Sequence, residues 1–225
     1  MTVYILARNV LINIKKDFRV EFRNRYALNI SISFAAISTM AVSLTSSGVP
    51  ISNLMLSILF WIVLFFSAMN GLAHIFIREE EQGTSLFLRM KAAPEIVLTS
   101  KLIFNIALFF LLQIVITPLF LFFLQIQIKS ILPFIINLIA GGFALTSSTT
   151  ILAAIVAKAG GRGSLFTIIS FPIILPILWT SINATFQSLE DAAYSGYGNI
   201  VFLLAFSGAL ISLSYMLFEY IWMDE

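Results

Sequence analysis

The sequence predicts an all-α, polytopic membrane protein with six transmembrane helices, and two observations support this class. Hydrophobic residues make up 60% of the 225-residue chain, charged residues only 11%, and the mean hydropathy is +1.00. Soluble domains are about 45–50% apolar and about 25% charged. The apolar runs are continuous over about 20 residues, the length of a spanning helix, and do not alternate as barrel strands do. The predicted spans lie near residues 27–46, 51–74, 102–124, 131–157, 165–185 and 199–220.

The basic residues predict the orientation of these spans. All but one of the 13 Lys and Arg residues fall on the side of the predicted bundle that holds both termini. The exception is Lys129, between the third and fourth spans. Because Lys and Arg mark cytoplasmic loops, we expect a multi-pass protein of the bacterial inner membrane with both termini in the cytoplasm. We expect no cleavable signal peptide, since charges interrupt residues 1–26.

Residues 1–26 are predicted to form an amphipathic helix that lies on the membrane surface. Apolar residues recur every four positions and basic residues occupy another face, which suits contact with anionic lipid head groups. Asp17 and Glu21 depart from this pattern, because they fall near the apolar side. A solvated basic leader that only fixes topology is the alternative interpretation.

The longest polar connection, residues 75–101, lies between the second and third spans, and we expect a cytoplasmic helical hairpin there. Gly83-Thr84 should form a turn, and Ala93-Pro94 should end one short helix before the next begins. Apolar residues flanked by acidic ones suit docking to a soluble partner, whose basic side chains would fix orientation. A solvated turn is the alternative. The residues predicted to contact the partner are Arg78, Glu79, Glu80, Glu81, Gly83, Thr84, Leu86, Phe87, Met90 and Pro94.

Other features of the chain predict motion more than chemistry. Pro118, Pro172 and Pro176 fall within predicted spans, where each removes a backbone donor and favours a kink. Such kinks suit gating, although ordinary packing explains any single proline equally well. No group of residues predicts a catalytic or metal site, and the one histidine, His74, fits an interfacial polar residue better than a haem ligand. The net charge of +2 gives no reason to expect nucleic acid as a partner.

The polar connection resembles the cytoplasmic segment of ABC-2-type exporter permeases. The resemblance rests on Glu79 and Glu81 before Gly83-Thr84, on Pro94 ten residues after the threonine, and on Lys101 ahead of the next span. From about residue 9 onward the chain is similar to the CcmB family, the permease subunits of the haem-handling ABC transporter in cytochrome c maturation. The further similarities are the basic segment 15–19, the glycine-rich loop 158–163 and the span that contains two prolines.

This resemblance implies a single permease domain, residues 1–225, whose coupling segment at 75–101 rests on a separate ATPase subunit. No G-x-x-x-x-G-K-[ST] phosphate loop is present, so ATP should be hydrolysed by that partner and the chain should not be an enzyme. A haem-binding membrane subunit is a further implied partner, and haem is expected at the level of the complex, with no cofactor bound directly by this chain. A second copy of the chain would be an alternative neighbour on the ATPase dimer.

Two other functions remain open at this point. One is a general ABC-2-type export permease for a lipid, glycan or drug. The other is a membrane scaffold that assembles a haem-handling complex without transporting anything.

Overall fold

The computed structural model describes residues 2–46, 49–72, 76, 79, 83, 84, 88, 90, 92–158, 163–191 and 194–223. Within that part of the chain every extended regular element is an α-helix, in agreement with the predicted all-α class. Seven helices can be bounded there: α1 Thr2–Asn24, α2 Tyr26–Thr45, α3 Asn53–Leu72, α4 Pro94–Phe123, α5 Ile131–Lys158, α6 Gly163–Glu190 and α7 Tyr197–Met223.

Helix α5 is the centre of the bundle. It packs against α3, α4, α6 and α7, and 83% of the residues in an 18-residue segment of its apolar stretch Ile131–Ala157 are buried. The peripheral helices are much more exposed: only 22% of the residues of Leu28–Thr45 in α2 are buried. Their outer faces carry large exposed apolar side chains such as Ile37, Leu44 and Met216. Soluble monomers rarely expose apolar patches of this extent, so these faces suit contact with lipid.

Many polar side chains inside the bundle find hydrogen-bond partners within the protein. Residues 146–150 of α5 all carry buried hydroxyls, and each hydroxyl donates to a carbonyl three or four residues earlier. Asn105 of α4 donates to the Thr150 hydroxyl at 2.9 Å, and Asn137 of α5 donates to the Thr185 hydroxyl of α6 at 2.8 Å. Because hydrocarbon offers no hydrogen bonds, such internal bonds hold neighbouring helices together.

A helix lies at each of the six predicted spans, and four of these helices are long and apolar enough to cross a membrane. The four are α2, α4, α5 and α7, whereas the apolar part of α3 is shorter, Asn53–Met69. The number of six crossings therefore stays a prediction. Helix α6 continues to Glu190, beyond the end of the span predicted near residues 165–185.

Helix α4 begins at Pro94, as the Ala93-Pro94 signal predicts. Ala93 has an extended backbone, with φ −63° and ψ 148°, and Pro94 stands in the first turn, where its missing N–H has no intrahelical partner to lose. The helix has 30 residues and is about 45 Å long. Lys101 therefore lies inside α4, about two turns from its start.

The N-terminal helix is confirmed as α1, while its predicted place on the membrane surface stays a prediction. Ahead of α4, five described residues of the polar connection have helical backbones, and Gly83, with φ 65°, has the left-handed conformation that a turn at glycine requires. The other residues between 75 and 91 lie outside the described part of the chain. Pro118 lies within α4, and Pro172 and Pro176 lie within α6. Both helices continue through their prolines without interruption. Their role in gating stays a prediction.

Gly141 permits a close approach of α3 to α5, and this gives a matched pair of substitutions. A Cβ at Gly141 would clash with Cη2 of Trp61, a fully buried ring of α3, whereas a Cβ at Gly208 of α7 would meet no atom within 4 Å. We expect Gly141→Ala to destabilise the protein by about 1–3 kcal/mol. Gly208→Ala should leave stability unchanged or raise it by up to about 1 kcal/mol. Thermal unfolding in detergent measures both, and equal effects would contradict the packing described.

Candidate functional site

One lysine ammonium joins three separate segments of the chain. Lys101 of α4 is only 1% exposed, and its Nζ donates to Glu79 Oε1 at 2.7 Å and to Asp17 Oδ1 at 3.1 Å. The Phe76 ring lies beside it, with its centroid 5.9 Å from Nζ. Asp17 belongs to α1, whereas Phe76 and Glu79 belong to the polar connection. A buried cation needs charged partners, so this contact fixes all three segments to one another.

Lys16 covers the same carboxylates on the side that faces water. Its Nζ lies 2.6 Å from Glu79 Oε1 and 3.4 Å from Asp17 Oδ1, and 43% of its side chain is exposed. Two lysines and two carboxylates therefore balance in charge. We refer to Lys16, Asp17, Glu79 and Lys101 as the charge cluster.

The apolar face of α1 places Asp17 within the charge cluster. Phe18, the next residue, packs edge-on against Phe104 of α4 with 4.9 Å between the ring centroids, and stacks on Phe22 one turn later. This contact turns Asp17, only 7% exposed, toward α4. Asp17 and Glu21, which interrupt the amphipathic pattern of α1, are thus both buried at the face where α1 meets the bundle.

Glu21 occupies a second polar position, at the turn between α1 and α2. Its carboxylate accepts a bond from the Leu28 N–H at 3.4 Å, close to the start of α2, where unpaired N–H groups favour a negative charge. Arg25 makes the turn itself, with a left-handed backbone of φ 51° and ψ 18°. The direction in which α2 leaves α1 is therefore set by residues adjacent to the charge cluster.

Burial and ion pairing act in opposite directions on the charge cluster, and pairing prevails. Burial disfavours the charge on Lys16, yet Asp17 and Glu79 outweigh this effect and raise the pKa of Lys16 above its ordinary value of 10.5. Burial also disfavours the Glu79 carboxylate, yet Lys101 and Lys16 together lower the pKa of Glu79 below 4.5. Both groups are therefore charged at neutral pH.

The structure separates the residues predicted to contact a partner. Glu79 is 8% exposed and paired within its own chain, so its carboxylate faces the bundle. Gly83 and Thr84 are exposed, and the Thr84 hydroxyl donates to the Glu79 carbonyl at 3.3 Å. Met90 is 76% exposed, and Pro94 starts α4. Five other predicted residues and His74 lie outside the described residues: Arg78, Glu80, Glu81, Leu86 and Phe87.

Sequence reasoning missed most of the charge cluster. The sequence predicts that Lys101 is one of the cytoplasmic loop charges, whereas it lies inside α4 and is almost fully buried. The available signal was the pair of acidic residues on the apolar side of α1. A carboxylate in that position requires a buried cation, and a lysine within the first turns of an apolar helix is the kind of residue that supplies one.

An apolar helical bundle with bare outer faces, charged at one end, defines a multi-pass membrane protein. The family model of the CcmB protein matches residues 8–218, so the chain belongs to the CcmB family. This membership makes it a component of the cytochrome c maturation haem-export ABC system, which contains other subunits. A comparison with curated proteins finds no match to the chain.

The charge cluster predicts a defined pH dependence of stability. Because Glu79 has a lowered pKa in the folded state, its contribution is complete above about pH 4.5 and is lost as pH falls below that value. Because Lys16 has a raised pKa, its contribution is complete below about pH 10.5 and is lost as pH rises further.

Thermal unfolding of the wild type and of Glu79→Gln over an acidic pH series measures this difference. We expect the wild type to be the more stable protein at neutral pH, and we expect its advantage to shrink below about pH 4.5. Glu95→Gln, a change of an exposed glutamate at the start of α4, is the control. An advantage that does not change with pH would contradict ion pairing at Glu79.

Proposed function

We propose that this chain is the permease subunit of an ABC transporter in cytochrome c maturation, and that residues 75–101 couple it to a separate ATPase subunit. The observation that carries the proposal is the way the polar connection divides its side chains. Glu79 is held by Lys101 inside the bundle, while Met90, eleven residues later, is 76% exposed. The part of the connection around Glu79 is bound to the bundle, and the part around Met90 is exposed and can contact a partner.

The proposal includes six transmembrane helices in the bacterial inner membrane, with both termini and the polar connection in the cytoplasm. Its support is the distribution of Lys and Arg, together with a helix at each of the six predicted positions. In this arrangement α1 lies along the cytoplasmic surface, with Asp17 and Phe18 toward α4. Arg19 and Arg23 are exposed on α1 and are free to meet lipid head groups.

Coupling follows from the cost of separating the charge cluster. Removing one partner of a buried ion pair costs about 3–5 kcal/mol, because the other charge is left buried without compensation. A displacement of the polar connection therefore moves α1 and α4 with it. Helix α4 contacts α5, so the displacement reaches the centre of the bundle. Pro118, Pro172 and Pro176 are the proposed points at which α4 and α6 bend, since each lacks one helical hydrogen bond.

The ATPase subunit would hydrolyse ATP, and this chain would transmit the resulting movement without being an enzyme. A haem-binding membrane subunit is the second proposed partner, and haem is the proposed cargo of the whole complex. The second groove of the ATPase dimer would accept a further membrane subunit, for which a second copy of this chain is one candidate.

The docking role is tested by co-purification of the ATPase subunit with variants of the polar connection. We expect Met90→Glu to reduce the ATPase recovered in mild detergent about tenfold, because a carboxylate without a partner in an apolar contact costs about 1–3 kcal/mol. Met90→Leu keeps the apolar side chain and should retain the ATPase. Combined reversal of Glu80 and Glu81 to Lys should act in the same direction as Met90→Glu.

Glu79 is left unchanged in these variants, because its replacement would disturb the internal charge cluster as well as the surface. Full ATPase recovery with Met90→Glu and with the double reversal would contradict the docking role. Normal cytochrome c assembly after deletion of the chain would favour a general export permease. Assembly that continues with an ATPase-inactive partner would favour a scaffold.

A further inference from the structure

The end of the bundle opposite to the charge cluster contains a cavity of about 670 Å³. It lies between the end of α2, the start of α3 and the connection that follows α4. Lys101 and Phe123, the last residue of α4, are roughly 33 Å apart at about 1.5 Å of rise per residue. Because this separation matches the thickness of the bilayer core, about 30 Å, the proposed topology puts the cavity at the depth of lipid head groups.

The walls of the cavity are of two kinds. One wall is apolar and includes Leu56, Phe123 and Leu124. The other wall is polar, and its side chains come from three segments of the chain: Ser43, Ser46, Asn53, Gln125, Gln127 and Lys129. An amphipathic cavity of this size suits a ligand with a polar part and an apolar part, and is far larger than a single ion requires.

Three side chains of the polar wall are exposed and can exchange bonds to solvent for bonds to a ligand: Gln125, Gln127 and Lys129. Lys129 donates one bond, to the Glu190 carbonyl at 2.6 Å, although an ammonium group has three donors. The side-chain amides of Gln125 and Gln127 make no hydrogen bond to any part of the chain that the structure describes. Three nearby groups thus offer N–H donors to an incoming acceptor.

A carboxylate lies next to the cavity, although Glu190 is not one of its lining residues. Asn53, which does line the cavity, donates to Glu190 Oε1 at 2.8 Å, and Lys129 donates to the Glu190 backbone carbonyl. These two bonds hold Glu190 at the rim of the cavity. A cation in the lining with a carboxylate at the rim complements a ligand that carries both signs of charge.

We propose that this cavity binds the head group of a phospholipid that carries both a phosphate and an ammonium, such as phosphatidylethanolamine. The phosphate takes the donors of Lys129 and the two glutamines, and the ammonium lies toward Glu190. The glycerol and the first part of the acyl chains cover the apolar wall. This site is independent of the coupling proposed for the opposite end of the bundle.

Native mass spectrometry of the delipidated full-length chain in detergent tests the proposal, with phosphatidylethanolamine as the titrated probe. We expect the wild type to bind one lipid, and Lys129→Gln to weaken this binding about tenfold, the effect of losing one charge-assisted hydrogen bond. Lys129→Arg keeps the charge and should retain the lipid. Gln127→Leu serves as a second variant and should weaken binding to a smaller extent.

Two further probes identify the ligand. Glu190→Gln should weaken binding of phosphatidylethanolamine and leave phosphatidylglycerol, which lacks the ammonium, unchanged. Soluble glycerophosphoethanolamine lacks acyl chains and should bind much more weakly than the lipid. Equal lipid binding by wild type and Lys129→Gln would overturn the proposal. Equal affinity for the soluble head group and the lipid would overturn the assignment to a lipid.

Discussion

The Lys101 ammonium is the constraint on which the arrangement of the cytoplasmic segments depends. A bundle this apolar leaves a charged group 1% exposed only where its charge is matched, and Lys101 obtains that match from α1 and from the polar connection at once. Neither α1 nor the polar connection would be held in one position by its own contacts as firmly as by this shared ion pair. Their carboxylates meet one cation, however, so the position of each segment determines that of the other.

The two ends of α4 consequently differ in character. At one end a balanced set of charges holds α1, the polar connection and α4 together, with Lys16 between the set and water. At the other end the helix opens into a cavity lined by amides, hydroxyls and a single lysine. Between them the contacts of α5 rely on neutral hydrogen bonds, such as that from Asn105 to Thr150, and on small residues.

Hydropathy alone predicts the class of the protein and the place of each long helix, because burial in lipid imposes a simple length of apolar sequence. The start of α4 follows from the local effect of Pro94 on Ala93. The charge cluster is different, since Lys101 finds its carboxylates 84 and 22 residues away in sequence. The outer cavity is likewise formed by segments distant in sequence. Local pattern therefore shows the acidic residues of α1 but not which residues pair with them, and it does not show the cavity.

A double-mutant cycle between Asp17 and Lys101 tests the central claim most directly. Unfolding free energies in detergent would be compared for the wild type, Asp17→Asn, Lys101→Met and the double variant. Directly paired buried charges predict a coupling energy of about 1–3 kcal/mol, with the double variant less destabilised than the two single changes combined. Effects that add to within about 0.5 kcal/mol would show that α1 and α4 are not held together by this ion pair.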